Sequence, residues 1–158
     1  MADISVTKDE TFMREALGEA EKAYALGEVP VGAVVVMDGE IVSRAHNLRE
    51  SLKDATAHAE IIALREAARK LGDWRLENAV VYATMEPCPM CAGAMVQFRV
   101  KKVVYGAADP KAGAAGSVVD LLREKRFNHQ VEVGAGVLEE ECREIVQRFF
   151  KKLRHLSG

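Results

Sequence analysis

Two short motifs constrain this chain more than anything else in it: His58-Ala59-Glu60 and Pro87-Cys88-Pro89-Met90-Cys91. Cys88 and Cys91 share one face of any helix that contains both, so they can grip one ion. Pro87 and Pro89 bracket the first cysteine, and proline is tolerated in a first helical turn, where its missing N–H is not needed. A helix that opens at Cys88 sets free N–H groups and the positive end of its dipole beneath the sulfur, which favours thiolate. His58 then supplies a third ligand. Two cysteines and a histidine leave one position of a tetrahedral zinc ion open, which suits a catalytic site better than a structural one. Glu60 imposes a geometric condition. In mid-helix, residues two apart point to opposite faces, so His58 and Glu60 converge only if the helix begins there and meets the metal end-on. Thr56 is the expected N-cap of that helix, with Glu60 in its first turn.

Three plainer readings compete. A CPxC pair can be a redox dithiol. A CxxC with a distant histidine can be three-quarters of a structural zinc site, or the thiols can simply be buried. The redox reading leaves His58 and Glu60 without work. The structural reading lacks a fourth ligand, because Cys142 falls in an apolar stripe.

Periodicity supplies the frame. Phe12, Met13, Ala16, Leu17, Ala20 and Tyr24 recur at helical spacing until Gly27. Residues 31–37 are β-rich, Asp38-Gly39 marks a hairpin turn, and residues 40–45 return as its partner. A helix is expected over 58–71 and stopped by Gly72, then a strand over 79–84, the cysteine helix to about Phe98, and a strand over 102–105. A short helix is expected over 117–123 and a last strand over 130–133. Leu138, Cys142, Ile145, Val146, Phe149, Phe150 and Leu153 mark a final amphipathic helix. A hairpin followed by β-α-β-α-β predicts an α/β fold, a three-layer α/β/α arrangement around a mixed five-stranded sheet. Ligands in such sheets bind beyond the C-terminal strand ends, where Pro87 and Gly106 should fall.

The chain has 158 residues and no repeat or linker, so one domain spanning 1–158 is expected. A net charge of −2 gives no global signal for nucleic acid, and any such contact must be local. Three cysteines, two of them assigned to metal, and an N-terminus without a signal-peptide pattern predict a cytoplasmic protein. The longest apolar run, 33–37, is too short to span a membrane.

Zinc on His58, Cys88 and Cys91 would lower the pKa of a bound water toward neutrality. Glu60 would take the water's proton and pass it to a ring nitrogen and then to a leaving amine. Such equipment suits hydrolytic loss of ammonia from an aminopurine or aminopyrimidine. N–H groups at the start of the Cys88 helix could hold the attacking oxygen.

With these residues the chain resembles the cytidine deaminase superfamily. Within it, the chain is similar to the bacterial tRNA adenosine deaminases of the TadA type. The likeness extends to residues 28–33, Asn47, the 109–117 loop, Asn128-His129 and Phe149-Phe150, and so covers nearly the whole chain. Ala112 departs from the threonine expected there. The resemblance implies zinc on His58, Cys88 and Cys91 and a proton shuttle at Glu60. It implies that Asn47 hydrogen-bonds a flipped base and that Val29 and Pro30 line the pocket. Asp109 and Lys111 would contact sugar-phosphate beside the target, with Phe149 and Phe150 flanking the loop. The implied reaction converts the wobble adenosine of a tRNA anticodon stem-loop to inosine, in a homodimer whose partner chain helps to wall the site.

Each of these assignments has a plainer counterpart. Asn47 can be a turn residue. Residues 109–117 can be an ordinary loop, and Phe149 and Phe150 can pack in the apolar stripe. Arg148, Lys151, Lys152, Arg154 and His155 form the densest basic stretch, either a solvated face or a phosphate-binding one. Arg99, Lys101 and Lys102 form a second. A deaminase of free guanine or cytosine is the rival activity, and a non-catalytic zinc module the rival of another class.

Overall fold

The apolar runs of the first four strands and of the long helices fold into the elements their periods require. The computed structural model describes residues 7–157, so the segment before Thr7, part of the signal-peptide reading, lies outside the described residues. Helix α1 (Lys8–Ala25) starts at a capping box: Glu10 N–H donates to Thr7 Oγ1, and Thr7 N–H donates to the Glu10 carboxylate, both at 3.1 Å. Its Met13, Ala16, Ala20 and Ala23 are buried. Strands β1 (Gly32–Met37) and β2 (Glu40–His46) form the expected hairpin. Asp38 and Gly39 turn it with φ of 52° and 78°, the positive values that a tight two-residue turn requires.

Strand β3 (Val80–Met85) pairs antiparallel with β1, while β4 (Lys102–Ala107) and β5 (Glu132–Ala135) follow in parallel. The order β2-β1-β3-β4-β5 makes one mixed five-stranded sheet. Alternation along the strands feeds two apolar layers. Ala33, Val35, Val81 and Val103 face one way, under α3 (Ala59–Leu71) and α4 (Pro89–Gln97). Val34, Val36, Tyr82 and Val104 face the other, under α1 and the final helix, α5 (Glu139–Ser157). This is the expected three-layer arrangement.

Several local expectations are corrected. A short helix, α2 (Arg49–Leu52), was not legible. Residues 117–123 form turns instead of a helix, with an isolated bridge between Ala115 and Asp120. Two backbone N–H groups there, of Ala115 and Ser117, are drawn to the Glu86 carboxylate, and Gly116 sits at φ 130°, which together preclude a helical start. The crossover from β4 to β5 is therefore irregular backbone. Strand β5 begins at Glu132, and Gly106 lies within β4 instead of beyond it. Among the described residues no helix is long and apolar enough to cross a membrane.

Gly32 marks the closest approach of α1 to the sheet, since a Cβ there would overlap the Ala16 carbonyl and the Ala20 amide nitrogen. Both obstacles are backbone, so relief requires moving α1. Gly32→Val is expected to cost about 1–3 kcal/mol. A lowered denaturant midpoint with an unchanged slope would show it.

Candidate metal and substrate site

The geometric condition set by His58 and Glu60 is met, with one change of detail. His58 itself is the N-cap of α3, in extended conformation at φ −77° and ψ 150°. Thr56 is diverted, because its N–H and hydroxyl both donate to Asp54 Oδ1, at 2.8 and 2.7 Å. This local Asx turn wins over the longer reach to the helix start. Cys88 is the N-cap of α4, also extended, with Pro89 as the first helical residue. Neither N-cap side chain is spent on capping its own helix. Two helix starts are thus aimed at one point, with Glu60 in the first turn of α3.

The ligand atoms of His58, Cys88 and Cys91 lie within 4.8 Å of one another. His58 Nδ1 stands 3.6 Å from Cys88 Sγ and 3.5 Å from Cys91 Sγ. Zinc bonds of about 2.0–2.1 Å to nitrogen and 2.3 Å to sulfur, at a tetrahedral angle, place those atoms roughly 3.5–3.6 Å apart. The donor set and its spacing therefore fit a tetrahedral zinc ion, with His58 bound through Nδ1. The charges agree. A hydrogen bond from Cys91, then one from His58, pulls the Cys88 thiol down to about 4 against the opposing effect of burial. Cys91 is pushed the other way, by its bond to Cys88 and by burial. The pair therefore shares one negative charge, a Cys88 thiolate held by the Cys91 thiol, and a bound cation is what would let both sulfurs ionise. His58 is raised, chiefly by its contact with Cys88. Glu60 is buried, and burial pushes its carboxyl up to about 7.

A cavity of 380 Å³ opens beside this cluster. His58, Ala59, Glu60 and Cys88 line one part of it, Val29, Val31, Asn47 and Arg49 another. Asp109, Pro110 and Ala112 contribute from the 109–117 loop, and Val146 and Phe150 from α5. The volume falls within the range of small-molecule sites, about 300–1,000 Å³, and suits a nucleoside-sized guest. The Asn47 amide is fixed: Nδ2 donates to the Val29 carbonyl at 3.2 Å, and Oδ1 accepts from Arg49 N–H at 3.0 Å. Those bonds use one N–H and one lone pair, and an amide has a second of each for a ligand.

Not every expected residue reaches the cavity. Pro30 is buried and absent from the lining, where Val31 appears beside Val29. Lys111 is exposed on the loop and does not line it. Phe149 and Phe150 part company. Phe149 is 8% exposed and packs edge-on against Tyr24, with ring centroids 5.9 Å apart, whereas Phe150 is 40% exposed and lines the cavity. Cys142 is fully buried against β4.

Two buried carboxylates beside the site, Glu28 and Glu86, escaped sequence reasoning. Glu28 accepts from the N–H groups of Glu50 and Ser51 at 3.0 and 2.6 Å, and so fixes α2 beside Asn47. Burial works to raise its carboxyl, but hydrogen bonds from the Ser51 side chain and from the N–H groups of Ser51 and Glu50 together hold it below the usual range. Glu86 does the same for the 109–117 loop. The available signal was a carboxylate adjoining an apolar strand end, which is uncommon unless the charge is partnered.

Comparison with known proteins agrees with this geometry. The family model of MafB19-like deaminases matches residues 7–154. The tRNA-specific adenosine deaminase of Bacillus subtilis (strain 168) is 58% identical over 149 residues, 94% of this chain and 92% of that one. A structure from a study of A-to-I editing by tRNA:A34 deaminases at the wobble position superposes with a TM-score of 0.83 at 44% identity, covering 85% of this chain and 98% of that one. The guanine deaminase of Bacillus subtilis gives 0.60 at 40% identity, covering 63% of this chain and 64% of that one. On a match that spans nearly its whole length, the chain belongs to the deaminase family, among the tRNA-specific adenosine deaminases.

Proposed function

We infer that this chain hydrolytically deaminates adenosine to inosine at the wobble position of a tRNA anticodon loop, as a zinc enzyme. The observation that carries the reading is the meeting of His58, Cys88, Cys91 and the buried Glu60 at a nucleoside-sized cavity, in a chain 58% identical to a tRNA-specific adenosine deaminase. His58, Cys88 and Cys91 would hold the zinc. Bound there, zinc would supply a water acidified enough to attack at neutral pH.

The protein's own groups do the rest. The anticodon loop offers an unstacked base, so flipping adenine into the cavity costs less than it would from a duplex. Asn47 holds the base edge with its second N–H and lone pair, between Val29 and Phe150. Glu60 accepts a proton from the attacking water and delivers it to the ring nitrogen next to C6. As the new C6–O bond matures, the C6–N bond breaks. Glu60 then takes the proton of the new C6 hydroxyl and passes it to the departing amine, which leaves as ammonia while the C6 carbonyl forms. The N-terminal end of α4, capped by the cavity-lining Cys88, turns the positive end of its dipole to the reaction centre and supports developing negative charge. Asp109 and Lys111 contact the sugar-phosphate at the mouth of the site. Phe149 holds α5 in place, and Phe150 meets the flipped nucleotide. A second copy of the chain completes the wall, and the enzyme works in the cytoplasm, where tRNA substrates and free thiols coexist.

Phosphate contacts are assigned to the exposed Lys151 and Lys152 of α5, the helix that also brings Phe150 to the cavity. The test measures inosine formation in an anticodon hairpin across a range of salt. Replacing both lysines by alanine should raise KM and lessen its salt dependence by up to about two phosphate contacts. Wild type that makes no inosine in any hairpin, yet deaminates free guanine or cytosine, would pass the assignment to those bases. Inosine formation with an unaltered salt slope would move the phosphate contacts elsewhere.

A further inference from the structure

Glu86 stands at the junction of the two strands that deliver the chain to the cavity. It follows β3 directly, its N–H donates to the Ala107 carbonyl at 2.8 Å, and it is 3% exposed. Its carboxylate turns to the loop that follows β4. Oε1 accepts from Asp109 N–H at 3.0 Å and from the Ser117 hydroxyl at 2.5 Å. Oε2 accepts from Ala115 N–H at 3.0 Å and Ser117 N–H at 3.1 Å. Four donors thus occupy a group with about four acceptor sites. Gly113 closes over the same carboxylate, and a Cβ at that position would overlap it.

These bonds grip both ends of the loop. Asp109, at the near end, passes the order outward: its own carboxylate accepts from Lys111 and Ala112 N–H at 3.0 and 3.2 Å. Residues 109–117 lie in no helix or named strand; besides the Glu86 bonds, Gly113 N–H donates to the Asp109 carbonyl at 2.9 Å and Ala114 N–H to the Pro87 carbonyl at 2.8 Å. The parts of this loop that face the cavity are Asp109, Pro110 and Ala112.

We propose that Glu86 is a positioning residue for the substrate: its carboxylate holds the Asp109–Ala112 wall in the one place where a flipped nucleotide fits. The inference rests on the assignment of that loop to nucleotide contact. Glutamine in place of Glu86 keeps the shape and withdraws acceptor capacity. At the Oε2 position the new NH2 would face two backbone N–H groups, Ala115 and Ser117, so it takes the Oε1 position, where the Ser117 hydroxyl can turn to accept from it but Asp109 N–H cannot. That donor is left facing another donor. The wall then occupies its competent position only part of the time, and binding must select that fraction. Apparent affinity falls while the bound complex still reacts.

The experiment compares wild-type and Glu86→Gln holoenzyme, matched for zinc content, on an anticodon hairpin. The expected result is a KM raised about tenfold or more, with kcat within about threefold. Amide exchange at Asp109 should also quicken, while amides in β1 and β3 keep their protection. General damage to the fold would instead lower kcat through loss of active protein and leave KM alone. That pattern overturns the proposal, as does an unchanged KM. If wild type makes no inosine, the functional reading fails by itself, and the clasp is judged on exchange: an Asp109 amide as protected as in wild type ends it. If Glu86→Gln does not fold, Gly113→Ala pushes the loop off an intact carboxylate and should raise KM in the same way. A wild-type KM for that variant counts against the proposal.

Discussion

Glu60→Gln should lose at least about 10²–10⁴-fold in kcat and keep its metal. Glutamine retains the shape of the side chain but cannot take a proton from water or give one to ammonia. Since Glu60 serves successive transfers, the upper part of that range is expected. Stability should hold or rise. The buried carboxyl is a group whose ionised form suffers from burial, and a neutral amide removes that cost. The informative comparison is therefore kcat beside metal content and melting temperature in one preparation. Turnover within a few-fold of wild type would mean that the proton travels by another route.

The second large effect concerns the ion. His58→Ala, Cys88→Ala or Cys91→Ala should abolish stoichiometric zinc and with it the activity. The consequence extends to the fold, because the three ligands join the N-termini of α3 and α4, which are also linked by a hydrogen bond between Glu60 and Cys91. A ligand at 100 times its dissociation constant stabilises by about 2.7 kcal/mol, and for a chain of this size each kcal/mol moves Tm by roughly 2–4 °C. Chelation should thus lower the wild-type Tm by roughly 5–11 °C, toward that of Cys91→Ala. The variant itself should not respond to chelator. A wild-type Tm indifferent to chelator, with no metal found by elemental analysis, would remove zinc from the account.

What the sequence could disclose follows from the range of the forces involved. Strands β1 to β4 were legible within a residue or two, because β-branched alternation and the Asp38-Gly39 turn are local signals. The meeting of His58, Cys88 and Cys91 was legible because helix starts can be read from Pro89 and from the awkward spacing of His58 and Glu60. The errors share a cause. Thr56 lost the capping position to a bond with Asp54, residues 117–123 lost their helix to Glu86, and α2 is fixed by Glu28. The last two depend on a carboxylate more than twenty residues away, beyond the reach of any window. Cavity walls are hidden for a similar reason. Val31, Ala108 and Val146 meet only because the sheet order brings β1, β4 and α5 to one end.

The placement of the site between layers has a further consequence. The groups proposed to react stand at the starts of α3 and α4 on one face of the sheet, whereas Phe150 and Val146 come from α5 on the other, and the remaining walls from loops, Arg49 of α2 and Met85 of β3. Heredity can therefore act on the two halves separately. Changes in α5 or the loops alter which base or nucleic acid is admitted, and the hydrolytic apparatus is passed on intact. A lineage can acquire a new substrate without passing through an inactive ancestor.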